Sequence, residues 1–99
     1  MRVQFSDDAK ADLLEIEAYI AADNPRRALT FIGELRERCR SLSRLPFAFP
    51  VVRLRSGVEL RRRSYASYNI FYRVKDETVV ITRVLHGARD YSRLLGKER

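Results

Sequence analysis

The sequence predicts an α+β fold: a short N-terminal strand, then an antiparallel helical hairpin packed on a three- to four-stranded antiparallel sheet, then a short C-terminal helical tail. Two amphipathic stretches in the first half are joined by only two or three residues, which favours a helical hairpin. Two stretches in the second half alternate with a period of two, which is typical of paired strands. A length of 99 residues fits one domain, residues 1–99.

The first helix is expected to follow a short opening strand in which Val3 and Phe5 alternate with polar residues. Ser6 is a suitable N-cap, and the acidic residues after it favour a helix start through the helix dipole. Apolar residues then recur along one helical face. These are Ala9, Leu13, Ile16 and Ile20, and the acidic side chains expected on the solvent side are Asp8, Asp12, Glu15 and Asp23.

The second helix is expected to begin at Pro25, because proline suits the first helical position and Asn24 is a good N-cap. Its predicted apolar face consists of Ala28, Phe31, Ile32, Leu35, Cys39 and Leu42. Since Cys39 lies within that face, a small buried hydrophobe is favoured over a reactive thiol. One cysteine excludes an internal disulfide and gives no metal-ligand spacing, so neither a metal nor a cofactor is expected.

The second half of the chain is expected to form the sheet. The prolines and phenylalanines of residues 46–50 predict a rigid loop over the core, and residues 51–55 an edge strand. In the next strand, 58–65, Arg61 and Arg63 fall on one face and Arg62 on the other.

Residues 68–75 and 78–85 predict a hairpin whose second strand is apolar on both faces apart from Arg83 and two threonines. Such a strand usually lies centrally in a sheet. Residues 90–95 are expected to form the helical tail.

Positive charge is concentrated in the sheet-forming half. The net charge is +7; residues 1–50 contain eight Lys/Arg and eight Asp/Glu, whereas residues 51–99 contain twelve and five. This segregation predicts a basic sheet face that meets either a nucleic acid or an acidic protein segment.

The chain is expected in the cytoplasm with no membrane partner, since no apolar run approaches the ~20 residues of a span and the N-terminus is acidic where a signal peptide is apolar.

Four stretches carry a resemblance to a known family. They are FSDDAKADLLEIEAYI, NPRRALTFIGEL, YNIFYRV and VVITRVLHGARD, in that order. With them the chain resembles the RelE/ParE superfamily of bacterial type II toxins over nearly its whole length. It is most similar to the ParE group, whose members often carry a YxIxYxV strand and end in an HGxRD-like corner.

The resemblance implies the toxin component of a type II toxin-antitoxin system. Its partner would be a cognate ParD-like antitoxin whose acidic, amphipathic C-terminal segment wraps and neutralises the toxin in a hetero-oligomer. The basic half of the chain agrees with such a partner. An antitoxin helix needs an apolar groove. Positions beside Tyr19, Leu29 and the 46–50 loop are candidates for it.

A ParE-like toxin implies inhibition of DNA gyrase by binding, without a catalytic group and with only indirect contact to nucleic acid. The residues predicted to contact the target are Arg61, Arg63, Arg83, Arg89 and Tyr91.

The alternative is a RelE-like ribosome-dependent mRNA endonuclease, which needs acid–base groups and cations at the phosphate. Its candidate residues are Arg83, His86 and Tyr91. Gly87 stands where many RelE-like enzymes carry a basic residue, so binding is the favoured interpretation. A binding protein without toxicity, kept for regulation with its antitoxin, is the third.

Overall fold

The computed structural model describes residues 1–54 and 56–87. Within them the elements follow the order β1 (Arg2–Phe5), α1 (Asp7–Ala21), α2 (Pro25–Ser41), β2 (Val51–Arg53), β3 (Glu59–Tyr65), β4 (Tyr68–Lys75) and β5 (Thr78–His86). The predicted α+β class, with a helical hairpin between an opening strand and the main sheet, is confirmed. The predicted tail, residues 90–95, lies outside the described residues.

The strands form one sheet in the order β1-β5-β4-β3-β2. Neighbours pair antiparallel except β1, which runs parallel to β5 and places Phe5 opposite Ile81. The prediction placed three or four antiparallel strands in the sheet. It did not include β1, which joins the same sheet as a parallel edge strand. Because β5 is flanked by β1 and β4, neither of its edges is left open along residues 78–81, as expected for its apolar sequence.

Side-chain caps fix both helix starts where the sequence predicts them. Ser6 Oγ accepts a hydrogen bond from the Ala9 N–H (3.0 Å) and donates one to the Thr82 carbonyl (2.8 Å). Asn24 Oδ1 accepts from the Arg27 N–H (3.1 Å), with Pro25 in the first turn of α2. The Ser6 cap thus also ties the start of α1 to β5.

The sheet carries apolar residues on both faces. On the helix side the core includes Leu13, Leu35, Tyr72 and Ile81. A smaller cluster of Leu60, Phe71 and Leu85, with Leu54 packed against it, alternates with these core positions along the strands and lies on the opposite face.

Asp12 departs from the prediction that it faces solvent, since it is only 4% exposed. β1 ends at Phe5, opposite Ile81, so the edge of β5 beyond that point has no neighbouring strand. The Asp12 carboxylate meets this edge: Oδ2 accepts from the Val84 N–H (2.9 Å) and Arg83 Nε (2.8 Å), and Oδ1 from Arg83 Nη2 (2.8 Å). The carboxylate thus accepts a backbone hydrogen bond from Val84 that a neighbouring strand would otherwise accept. Its bidentate pair with Arg83 joins α1 to β5.

Replacing Asp12 by alanine is expected to destabilise the fold by about 3–5 kcal/mol, because the buried Arg83 guanidinium loses its counter-charge. The free energy of unfolding in urea measures this loss. Asp7→Ala, at an exposed position on the same helix, is the matched control and should cost about 1 kcal/mol or less. Equal losses for the two variants would contradict the assignment.

The Cys39 thiol is buried in the core, in agreement with its predicted role as a small hydrophobe. Burial raises its pKa to about 12. At pH 8 the folded chain should therefore react with a disulfide reagent such as dithionitrobenzoate only as fast as it opens, since the thiolate is the nucleophile. The same reagent should titrate the thiol promptly in denaturant. Prompt reaction of the folded chain would overturn this prediction.

Candidate functional site

Arg61 holds the loop of residues 46–50. Its Nη1 donates to the carbonyl of Phe49 (2.7 Å), and its guanidinium lies 5.2 Å from the centroid of the Phe47 ring. Tyr72 holds the same loop as well, because its hydroxyl donates to the Pro46 carbonyl (2.8 Å). Arg61 was predicted to contact a target, and that stays a prediction. In the structure its guanidinium contacts this loop.

Arg63 ties β3 to the end of α2. Its Nη1 donates to the Arg38 carbonyl (2.9 Å) and to Ser41 Oγ (2.6 Å), and its guanidinium lies 4.8 Å from the centroid of the Phe49 ring. Burial, with the nearby Arg38 charge, lowers the pKa of Arg63. Arg61 and Arg63 share the helix-side face of β3 and are both engaged in holding the chain between α2 and β2.

Arg83, predicted as a target contact and, in the alternative interpretation, as a catalytic residue, lies inside the fold. It is 7% exposed, and its guanidinium pairs with Asp12 inside the fold. A target could bind the Arg83 guanidinium only if that pair were broken, which would leave the buried Asp12 carboxylate without its counter-charge. In this conformation the Arg83 guanidinium joins β5 to α1 through Asp12.

His86 and Gly87 form the corner at the end of β5. The imidazole packs edge-on against the Tyr68 ring, with 5.4 Å between centroids. The Gly87 N–H donates to the Ser67 carbonyl (2.8 Å), and a Cβ at this position would come within 3.2 Å of Asn69 Nδ2. A side chain at position 87 would crowd the β3–β4 turn, which gives a packing reason for glycine here. Two further predicted contacts, Arg89 and Tyr91, lie outside the described residues.

Among the arginines of β3, β4 and β5, Arg62 and Arg73 are exposed. Arg62 is paired with Phe71 across β3 and β4, and Arg73 follows Phe71 by two residues. Both therefore lie on the face opposite the helices. Neither makes an ion pair within residues 1–54 and 56–87. The alternation of β3 already separated Arg62 from its neighbours; Arg73 was missed because a single arginine on a strand carries no signal of its own.

A polar network at the other side of α2 was also missed from the sequence. Glu34 pairs with Arg27 (2.8 Å) and accepts a hydrogen bond from the Tyr65 hydroxyl, and Arg38 lies 4.6 Å from the Tyr65 ring centroid. The bond from Arg27 chiefly lowers the pKa of Glu34, and the bond to Glu34 chiefly raises the pKa of Tyr65. These groups satisfy one another and fasten α2 to the end of β3.

A cleft of about 190 Å³ opens beside the 46–50 loop. Its lining residues are Phe47, Val51, Glu59, Leu60, Arg61, Arg73 and Val74. It adjoins β2, which is an edge strand of the sheet, so it combines an exposed aromatic ring, arginine residues and a free strand edge.

Of the positions predicted to border one docking groove, Tyr19 and the 46–50 loop line different cavities. Tyr19 lines a depression at the turn between the helices, and Leu29 lies on α2, whereas the 46–50 loop borders the cleft. In the described part of the chain no group of three His, Cys, Asp or Glu residues is placed to hold a metal ion. None of the helices described is long and apolar enough to cross a membrane.

Two solved structures share this fold. A chain of the chromosomal ParDE toxin-antitoxin system from P. aeruginosa superposes with a TM-score of 0.73 at 20% identity, over 87% of this chain and 95% of that one. A chain of the toxin-antitoxin complex RelBE2 from Mycobacterium tuberculosis gives a TM-score of 0.62 at 29% identity, over 86% and 95%.

Sequence comparison assigns the family. No curated protein was found to match this chain. The family model described as the ParE toxin of the type II toxin-antitoxin system parDE matches residues 3–91, from β1 past the end of β5. The chain therefore belongs to the ParE toxin family of type II toxin-antitoxin systems.

Proposed function

We propose that this ParE-family toxin inhibits DNA gyrase by binding, and that a cognate antitoxin neutralises it through an acidic C-terminal segment. The observation that carries the choice of binding over catalysis is the buried pair of Arg83 with Asp12. In this pair Asp12 engages Arg83, the arginine that the endonuclease alternative would place at the scissile phosphate.

The corner at the end of β5 supports the same choice. RNA cleavage requires a group poised to move a proton and a cation free to stabilise the phosphate. His86 instead packs on Tyr68, and Gly87 fits closely against the turn of residues 66–67. The geometry there is that of a corner that fastens β5 to the β3–β4 hairpin.

The target surface we propose is the sheet face opposite the helices, where Arg62 and Arg73 are exposed around the buried Phe71. Arginine can bind carboxylates or phosphates in a bidentate manner, which suits a protein–DNA junction. Arg89 and Tyr91 follow the corner directly in the chain and remain part of the proposed contact set.

For the antitoxin we propose the cleft beside the 46–50 loop. Its arginine residues favour an acidic segment through electrostatic complementarity, and the exposed Phe47 offers apolar contact. The free edge of β2 can accept an extended segment through main-chain hydrogen bonds. The ParDE and RelBE2 complexes, to which this chain is similar, each contain a toxin with its antitoxin.

Purified toxin is expected to inhibit supercoiling by gyrase, and induced expression to arrest DNA synthesis before protein synthesis. The double variant Arg62→Glu/Arg73→Glu should raise the inhibitory concentration by at least ~10-fold, since like charges at an interface cost several kcal/mol. Arg44→Glu, an exposed reversal just after α2, is the control and should change it little.

Unchanged supercoiling in excess wild-type toxin would reject gyrase as the target. Cleavage of ribosome-bound message that Tyr91→Phe abolishes would establish the RelE-like endonuclease in its place. If the Arg62/Arg73 variant inhibited as strongly as the Arg44 control, the target surface would lie elsewhere.

The antitoxin is expected to be the product of a neighbouring short reading frame with an acidic C-terminal half. Binding measured by calorimetry should weaken by at least ~10-fold in Phe47→Glu, because the change removes an apolar contact and adds a repelling charge. Val58→Glu, at another exposed apolar position, is the control. Equal affinity of the two variants would exclude the cleft, and no binding to the wild type would exclude this partner.

A further inference from the structure

Three apolar side chains are buried on the sheet face that the helices do not cover. Leu60 on β3, Phe71 on β4 and Leu85 on β5 are 3%, 1% and 2% exposed and form one cluster, called here the far-face cluster. The strand register sets them on a diagonal across three neighbouring strands, because Arg62 lies opposite Phe71 and Asn69 lies opposite Leu85. α1 and α2 pack on the other face of the sheet, so neither helix covers this cluster.

An open sheet face does not bury side chains to this degree. Side chains stand roughly perpendicular to a sheet, so cross-strand neighbours cover the flanks of a ring and leave its outer end to solvent. Arg62 and Arg73, which flank Phe71, are themselves exposed. Among the residues that the structure describes, one further apolar side chain packs against the cluster, and this is Leu54, directly after the edge strand β2. The end of the cluster at Leu85, two strands away from β3, needs another cover.

We propose that the C-terminal segment, residues 88–99, packs across the far-face cluster. The three side chains are buried in a single chain without a partner, so their cover belongs to the same chain. The segment starts directly after Gly87, two residues beyond Leu85. The Gly87 N–H donates to the Ser67 carbonyl (2.8 Å), which holds the start of the segment at the end of the sheet.

The length of the segment is sufficient for this path. Strand spacing and rise place Leu85 and Leu60 roughly 16 Å apart across the sheet. The segment has twelve residues. Even with half of them in a helix, they reach beyond that distance, at about 1.5 Å per helical residue and about 3.3 Å per extended residue.

The sequence of the segment has an apolar side to place on the cluster. Tyr91, Leu94 and Leu95 fall at i, i+3 and i+4, which sets them on one side of the proposed helix. Packing this side on Phe71 removes apolar surface of both the segment and the sheet from water. Gly96 follows, and glycine commonly ends a helix, so residues 97–99 fall outside the packed part.

The charges of the segment permit this packing, although both surfaces are basic. With the leucines against the sheet, Arg89 and Arg93 fall on the opposite side of the proposed helix and point away from the sheet. They are then separated from Arg62 and Arg73 by about the 10 Å width of a helix, a distance at which exposed charges are largely screened in physiological salt. Asp90 falls on the flank of the helix, where its carboxylate can face a sheet arginine.

Nuclear Overhauser contacts in the isolated full chain test the proposal. The methyl groups of Leu94 and Leu95 should give cross-peaks to the Phe71 ring and the Leu85 methyl groups, and none to Leu13 in the helix-side core. Cross-peaks to Leu13 instead, or none to the cluster, would overturn the proposal. So would cross-peaks that arise only after an antitoxin is added, because the cover would then need a partner. Gyrase takes no part in this measurement, so its result is independent of the proposed target.

The stability of two double variants gives a second test. Leu94→Ala/Leu95→Ala should raise the equilibrium constant for unfolding in urea at least ~10-fold, because packed leucines are lost from the cover. The matched control is Leu14→Ala/Leu29→Ala, which changes two leucines that are 65% and 69% exposed on the helical hairpin. It should change that constant by about 3-fold or less, as surface substitutions do. Equal effects of the two variants would contradict a packed segment.

Discussion

The carboxylate of Asp12 joins the two halves of this fold where the parallel strand β1 ends. Its three hydrogen bonds engage the Arg83 guanidinium and the Val84 N–H, so one side chain supplies a counter-charge and a backbone partner at the same point. This buried ion pair joins α1 to β5 through side chains of opposite charge. Together with the apolar core between the helices and the sheet, the pair holds the helical hairpin in place.

The three consecutive arginines of β3 show how a strand divides one residue type between two roles. Arg61 and Arg63 point to the helix side, where carbonyl groups and aromatic rings engage them and order the chain between α2 and β2. Arg62 points to the other face and is exposed with Arg73. A basic surface and an ordered loop are therefore produced by the same short segment, because successive side chains alternate across the sheet.

The surfaces proposed for the target and for the antitoxin adjoin at Arg73, which is exposed on the sheet face and also lines the cleft. The sheet face with Arg62 and the cleft beside Phe47 differ in charge and shape. Under the proposed function, such differences would direct each partner to its own surface, since specificity depends on repulsion from the wrong surface as well as on attraction to the right one.

The sequence by itself determined the elements: the capped helices at Ser6 and Asn24, the hairpin of β4 and β5, the buried Cys39 and the family resemblance, all of which are local patterns. Only the tertiary structure decided the roles of Asp12, Arg83 and β1. Asp12 lies on the flank of its helix, where solvent and core are both within reach, and it is buried because β5 offers an open edge and a guanidinium there. Contacts between residues 71 positions apart leave no trace in local periodicity, and the exposed or buried fate of each arginine follows from such contacts.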